Sequence, residues 1–198
     1  MENKQLRYIS TELSVEETEN EPKVIRGKAI VYNAWSGVLW DEERKVFFRE
    51  MIKPGAAAGL LGGDIIMSRD HIDDKIIARS TAGNLSFNDT LEYLEVMAKC
   101  PDTTLAEDTI KDIRCKNLNG MSFEFTVKPQ DEKWVINQGG ISTREISKFS
   151  RVFAVNPVVY PAYTQTSVEA RANEYIEESK LPQITTEEQI FNIKLSLR

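Results

Sequence analysis

Asn119-Gly120-Met121-Ser122-Phe123-Glu124-Phe125-Thr126-Val127 reads as a glycine turn running into a strand. Side chains alternate across a strand, so Ser122 and Glu124 share one face and the bulky Met121, Phe123 and Phe125 take the other. A hydroxyl at the head of such a run is uncommon packing unless it has a use. The chain contains a single histidine, His71, in Ser68-Arg69-Asp70-His71. A serine becomes a nucleophile only when a base that titrates near neutral pH takes its proton. Ser122 and His71 are therefore the minimum of a serine hydrolase, and the expectation is that they meet in space. Each also has an ordinary reading: a histidine among acidic residues is commonly exposed and ion-paired, and Gly-x-Ser at a strand start is commonly turn chemistry.

Working outward, the hydrophobic pattern predicts many strands and few helices. Lys23–Tyr32 reads as a buried strand in which Gly27 marks a bend or a close approach. Val46–Ile52, Asp64–Ser68 and Ile76–Arg79 follow, with a short helical turn over Ala56–Leu61. Asn84–Asn88 and Leu91–Ala98 pair as a hairpin. A helix capped by Asp102 or Thr103 carries Leu105, Ile110 and Ile113 on its apolar face and delivers the chain to Ser122. Beyond Val127, Ile141–Phe153 predicts one further strand, and Asn156–Tyr163 a proline-punctuated edge. Leu6, Tyr8 and Ile9 suggest a short strand near the N-terminus, and Val168–Ser179 a helix. Trp35, Trp40 and Trp134 are expected to pack in core or loops. The pattern predicts an α+β fold: a mainly antiparallel β-sheet or small β-barrel with a few flanking helices.

The composition bounds the function. A length of 198 residues suits one domain, and 41% hydrophobic residues exceed what a disordered chain carries. The net charge of −6 belongs mainly to the ends, since residues 1–23 hold six Asp/Glu against three Lys/Arg and residues 172–198 hold five against three. The middle is nearly balanced, which argues against a nucleic-acid groove. Two cysteines, Cys100 and Cys115, make neither a disulfide framework nor a metal site and are expected to be buried, reduced thiols. No cofactor is expected. No apolar run approaches the roughly 20 residues of a membrane span, and no signal peptide is evident. The expected division is an acidic N-terminal segment over 1–23, a main domain over 24–171 and a C-terminal tail over 172–198.

Six pieces come in an order that resembles the tailed-bacteriophage prohead serine proteases, whose fold is similar to herpesvirus assemblin. They are Arg26–Asn33, Phe48–Ala56, the His71 segment with Ala78–Leu85, Pro101-Asp102-Thr103, Gly120–Phe125, and Tyr160-Pro161-Ala162-Tyr163. The resemblance spans about residues 24–171. It implies Ser122 as nucleophile, His71 as general base, and an assemblin-like fold. It further implies a capsid-maturation endopeptidase that cleaves the scaffolding segment of the major capsid protein, and itself, inside the assembling prohead in the host cytoplasm. Its partners would be the major capsid protein, other prohead components and a second copy in a homodimer, with no nucleic acid and no membrane. The acidic residue that family members commonly carry seven positions before the Pro-Ala-Tyr proline is Ala154 here. Asn156, two residues on and on the same strand face, is one candidate to orient the imidazole, and Glu124 is the other. Arg144 is a possible oxyanion or substrate contact by analogy with assemblin-type sites. The alternative function is a non-catalytic scaffold or assembly protein that retains the protease fold.

Overall fold

A computed structural model describes residues 3–10, 13–159 and 171–177. Among them the strands, in chain order, are β1 (Gln5–Ser10), β2 (Ser14–Glu16), β3 (Val24–Val31), β4 (Leu39–Asp41), β5 (Val46–Ile52), β6 (Ile66–Ser68) and β7 (Ile76–Arg79). They continue with β8 (Leu85–Asp89), β9 (Tyr93–Lys99), β10 (Gly120–Thr126), β11 (Glu132–Val135), β12 (Ser142–Ile146) and β13 (Arg151–Val158). The helix α1 (Thr104–Arg114) lies between β9 and β10. The strands form three sheets, ordered β1-β10-β13-β6-β7, β11-β12-β5-β4 and β2-β3-β9-β8. Pairing is antiparallel apart from β12 on β5 and β13 on β6. The α+β class is as the alternation predicts, built from open sheets rather than a closed barrel.

β10 sits between β1 and β13 and is buried along its whole length. Its odd-numbered face is aromatic: Phe123 stacks on Phe125 with centroids 5.1 Å apart, and Phe149 lies 4.6 Å from Phe125. Gly27, in β3, is a close approach, because a Cβ there would stand 2.8 Å from the Leu13 side chain and 3.1 Å from that of Met121. That contact sets the third sheet against the core face of β10.

α1 follows its sequence signals. The Thr103 side chain accepts from the Ala106 N–H, and Ala106, Thr109, Ile110 and Ile113 are the buried face. The helix ends in a Schellman turn: the Lys116 N–H reaches the Ile113 carbonyl at 3.0 Å and the Asn117 N–H reaches that of Asp112 at 2.8 Å. The left-handed position of this turn, φ 61°, is held by Lys116 rather than by glycine.

Several expectations are corrected. Ala56–Leu61 forms successive turns rather than a helical one, with Ala58 N–H on the Gly55 carbonyl and Leu60 N–H on that of Ala57. Gly55 and Gly59, both at φ 78°, interrupt any helix there. The single strand expected over Ile141–Phe153 is two strands in different sheets, because the chain turns inward to bury Phe149 completely. β13 is an interior strand, not an edge, despite Pro157. Its ladder with β6 is confined to Ala154 opposite Ile66, so Pro157 is asked for no N–H on that side. Cys100 is buried and its thiol is pushed up to about 11 by that burial, whereas Cys115 is exposed. Two other expectations hold: β1 forms over Leu6 and Tyr8, and residues 171–177 are helical, with Ala172 buried against Val38 and Phe47. Tyr160-Pro161-Ala162-Tyr163 lies outside the described residues.

Candidate active site

Three segments converge on the even-numbered face of β10. Antiparallel register places Ser122 between Tyr8 of β1 and Asn156 of β13, and Glu124 between Leu6 and Ala154. His71 comes from the turn that follows β6. There Asp70 and His71 have φ of 52° and 61°, a left-handed pair uncommon for residues with a Cβ. The turn is fastened at both flanks. The Arg69 N–H meets the Lys75 carbonyl at 3.0 Å and the Asp70 N–H meets that of Pro157 at 3.2 Å. The Arg69 guanidinium also donates to Asp112 of α1 at 2.5 Å. Such over-determination is what allows unfavourable backbone angles to persist at a site.

The imidazole held by this turn reaches both β10 side chains. Ser122 Oγ lies 2.6 Å from His71 Nε2, and His71 Nδ1 lies 2.7 Å from Glu124 Oε1. Ser122 has no exposed surface, and the His71 side chain is 17% exposed. The hydrogen bond from His71 holds the Glu124 carboxyl below its usual range; Lys4, whose ammonium pairs with the other oxygen, adds to this against the opposing effect of burial. The Tyr8 ring meets the imidazole edge-on, centroids 5.7 Å apart.

Asn156 is also at the site, with Nδ2 2.9 Å from His71 Nδ1. Its carbonyl oxygen accepts from the Ser68 backbone N–H at 2.8 Å and from the Ser68 hydroxyl at 3.0 Å. A backbone N–H can only donate, so the amide is oriented with its oxygen on Ser68 and its nitrogen toward the ring. Two candidates for the residue beside His71 therefore differ in kind: Glu124 offers an acceptor and Asn156 a donor. The carboxylate looked for at position 154 stands directly across the ladder, since Ala154 is the register partner of Glu124.

Arg144 is not brought to this cluster. It is buried in β12, donating to Glu50 at 2.7 Å and Glu132 at 2.6 Å. Arg7 donates to the same Glu50 from β1 at 2.8 and 2.9 Å. Because Arg7 and Tyr8 are consecutive in a strand, this network occupies the face of the sheet opposite His71. Its guanidinium is occupied by these two carboxylates, away from the Ser122–His71 contact. Burial opposes ionisation of Glu50, yet Arg7 and Arg144 outweigh it and keep the carboxyl below its usual range. Ser68 and Lys4 are the neighbours that sequence reasoning does not single out. Ser68 is in the quoted histidine segment, and only the fold shows that it orients Asn156. Among the described residues no group of His, Cys, Asp and Glu could hold a metal ion. Among them, too, no helix is long and apolar enough to cross a membrane.

No curated protein and no solved structure matches the chain, so the expected likeness to herpesvirus assemblin finds no counterpart among solved structures. The family model described as caudovirus prohead serine protease matches residues 10–181, which include both members of the 2.6 Å Ser–His contact. On that match over most of its length, the chain belongs to the caudovirus prohead serine protease family.

Proposed function

We propose that the protein is a capsid-maturation serine endopeptidase in which Ser122 is the nucleophile, His71 the general base and Glu124 the group that holds the imidazole. The observation that carries this reading is the unbroken chain of contacts from Ser122 Oγ through both ring nitrogens to Glu124. An ionised Glu124 can only accept, so His71 donates from Nδ1–H and keeps the Nε2 lone pair for the serine proton. The Ser122 oxygen attacks the scissile carbonyl carbon as its proton passes to Nε2. The same proton then goes to the leaving amine as the C–N bond breaks, leaving an acyl-enzyme. Water repeats the sequence, giving its proton to His71 and releasing the acid. Asn156, with its nitrogen toward the ring, does not supply the acceptor and serves instead to pack and fix the ring's neighbourhood.

Family membership supplies the serine peptidase class and the prohead setting. The substrate we assign is the scaffolding segment of the major capsid protein, with self-cleavage in addition. Incubating the purified protein with capsid protein that bears its scaffolding segment tests this. Ser122→Ala is expected to abolish cleavage while circular dichroism and melting stay unchanged, and full cleavage by that variant would end the proposal. A wild type that enters proheads without cutting anything would favour the non-catalytic assembly protein instead.

A further inference from the structure

The nucleophile described above has no exposed surface. Attack requires a carbonyl carbon within about 3–3.5 Å of Oγ, so something must move before any peptide can react. β1 is the outermost strand of its sheet, and it lies directly against the reactive strand, with Tyr8 as the register partner of Ser122. Tyr8 shares the face of Ser122, and its ring rests on the imidazole. The residue before the strand, Lys4, places its ammonium on Glu124. A cation on that carboxylate offsets the negative charge that should stabilise the imidazolium formed during attack. Steric and electrostatic effects thus have the same sign, and both oppose catalysis.

We propose that Lys4 and β1 form a built-in cover over the Ser122–His71 pair, and that the enzyme is held off until this strand leaves the β10 edge. The proposal rests on the Ser–His–Glu reading. Its fasteners are on both faces: Lys4 on Glu124, Arg7 on Glu50, and Gln5 accepting from Arg144 at 2.5 Å. The strand can leave without stranding a buried charge, because Glu50 keeps Arg144 and Arg144 keeps Glu132. Departure leaves the β10 edge open to another extended chain.

The test uses the full-length protein and a biotinylated fluorophosphonate. This probe forms an Oγ–P bond as P–F breaks, the hydroxyl proton passing to His71. A site that is open for a fraction of the time reacts at that fraction of the open rate, so the Lys4→Met/Arg7→Gln variant is expected to label at Ser122 about tenfold faster or more. Equal or slower labelling by the folded variant overturns the cover and leaves the protease reading standing. No labelling of Ser122 in any folded form, wild type included, sinks both. A second measurement needs no variant: in the labelled wild type, the amides of residues 5–10 are expected to lose hydrogen-exchange protection. Full protection in the adduct overturns the cover.

Discussion

Asn156 turns its carbonyl oxygen to Ser68 and its nitrogen to His71. Both Ser68 and Asn156 are fully or almost fully buried, so the two Ser68 donors have no water to fall back on. Asn156→Ala leaves them unsatisfied, and the expected loss is about 1–3 kcal/mol of stability. Urea unfolding measures it. Asn156→Asp keeps an acceptor on Ser68 and is expected to recover most of that loss. A stable Asn156→Ala protein would mean that the amide is not the anchor of the His71 turn.

Glu124→Gln behaves differently. The amide keeps the size of the side chain but can present a donor to Nδ1, which moves the ring proton to Nε2 and removes the lone pair needed by Ser122. The expected fall in kcat is on the order of a hundredfold or more. Melting should change little beside that. If kcat/KM survives Glu124→Gln and collapses in Asn156→Asp, the roles of the two residues have been exchanged.

The ion pairs of Arg144 predict a contribution to stability. Removing it takes away the donors it gives Glu50 and Glu132 while Arg7 stays on Glu50, and Arg144→Met is expected to cost about 1–3 kcal/mol. Chemical denaturation reads the loss. An unchanged unfolding curve together with a large loss of kcat would restore the oxyanion role expected from the sequence.

Much of this was legible before the fold, and the limits have physical causes. Alternation around Ser122 located β10, and the scarcity of histidine pointed to the side chain that meets Ser122. Glu124 was visible as a residue sharing the face of Ser122. What separates it from Asn156 in the proposed reading is the direction of one amide, set by Ser68 across 88 positions of sequence. Charge alone does not place Arg144, because a strand pattern does not reveal that two carboxylates wait for it. Pro157 looked like an edge marker because periodicity carries no information about which side of a strand is bonded.

The Schellman turn after α1 offers a gain. Lys116 occupies a left-handed position that costs a side chain with a Cβ about 1 kcal/mol relative to glycine. Lys116→Gly is expected to stabilise the protein by about 0.5–1 kcal/mol. A lower melting temperature in that variant would show that the lysine side chain contributes elsewhere.

Asp64 gives an acid window. Hydrogen bonds from Arg79 and Thr81 hold its carboxyl down at about 2. A folded-state value below the unfolded one of about 3.9 stabilises the fold above the unfolded value. The stability is lost as pH falls through the folded value, so the window runs from about 4 down to about 2. The Asp64→Asn variant should match the wild type more closely at the bottom of that window than at pH 6. Parallel pH–melting curves would remove Asp64 from the account.

The order in which the pieces occur along the chain has a temporal consequence. β1 is made before β10, and Asn156, beside His71, is made after it, in β13. During synthesis the strand proposed to cover Ser122 is therefore available before the segments that meet around His71 are all made. Under the proposed cover, a newly made molecule would pass from incomplete to covered without an interval in which a finished, open site meets the surrounding proteins.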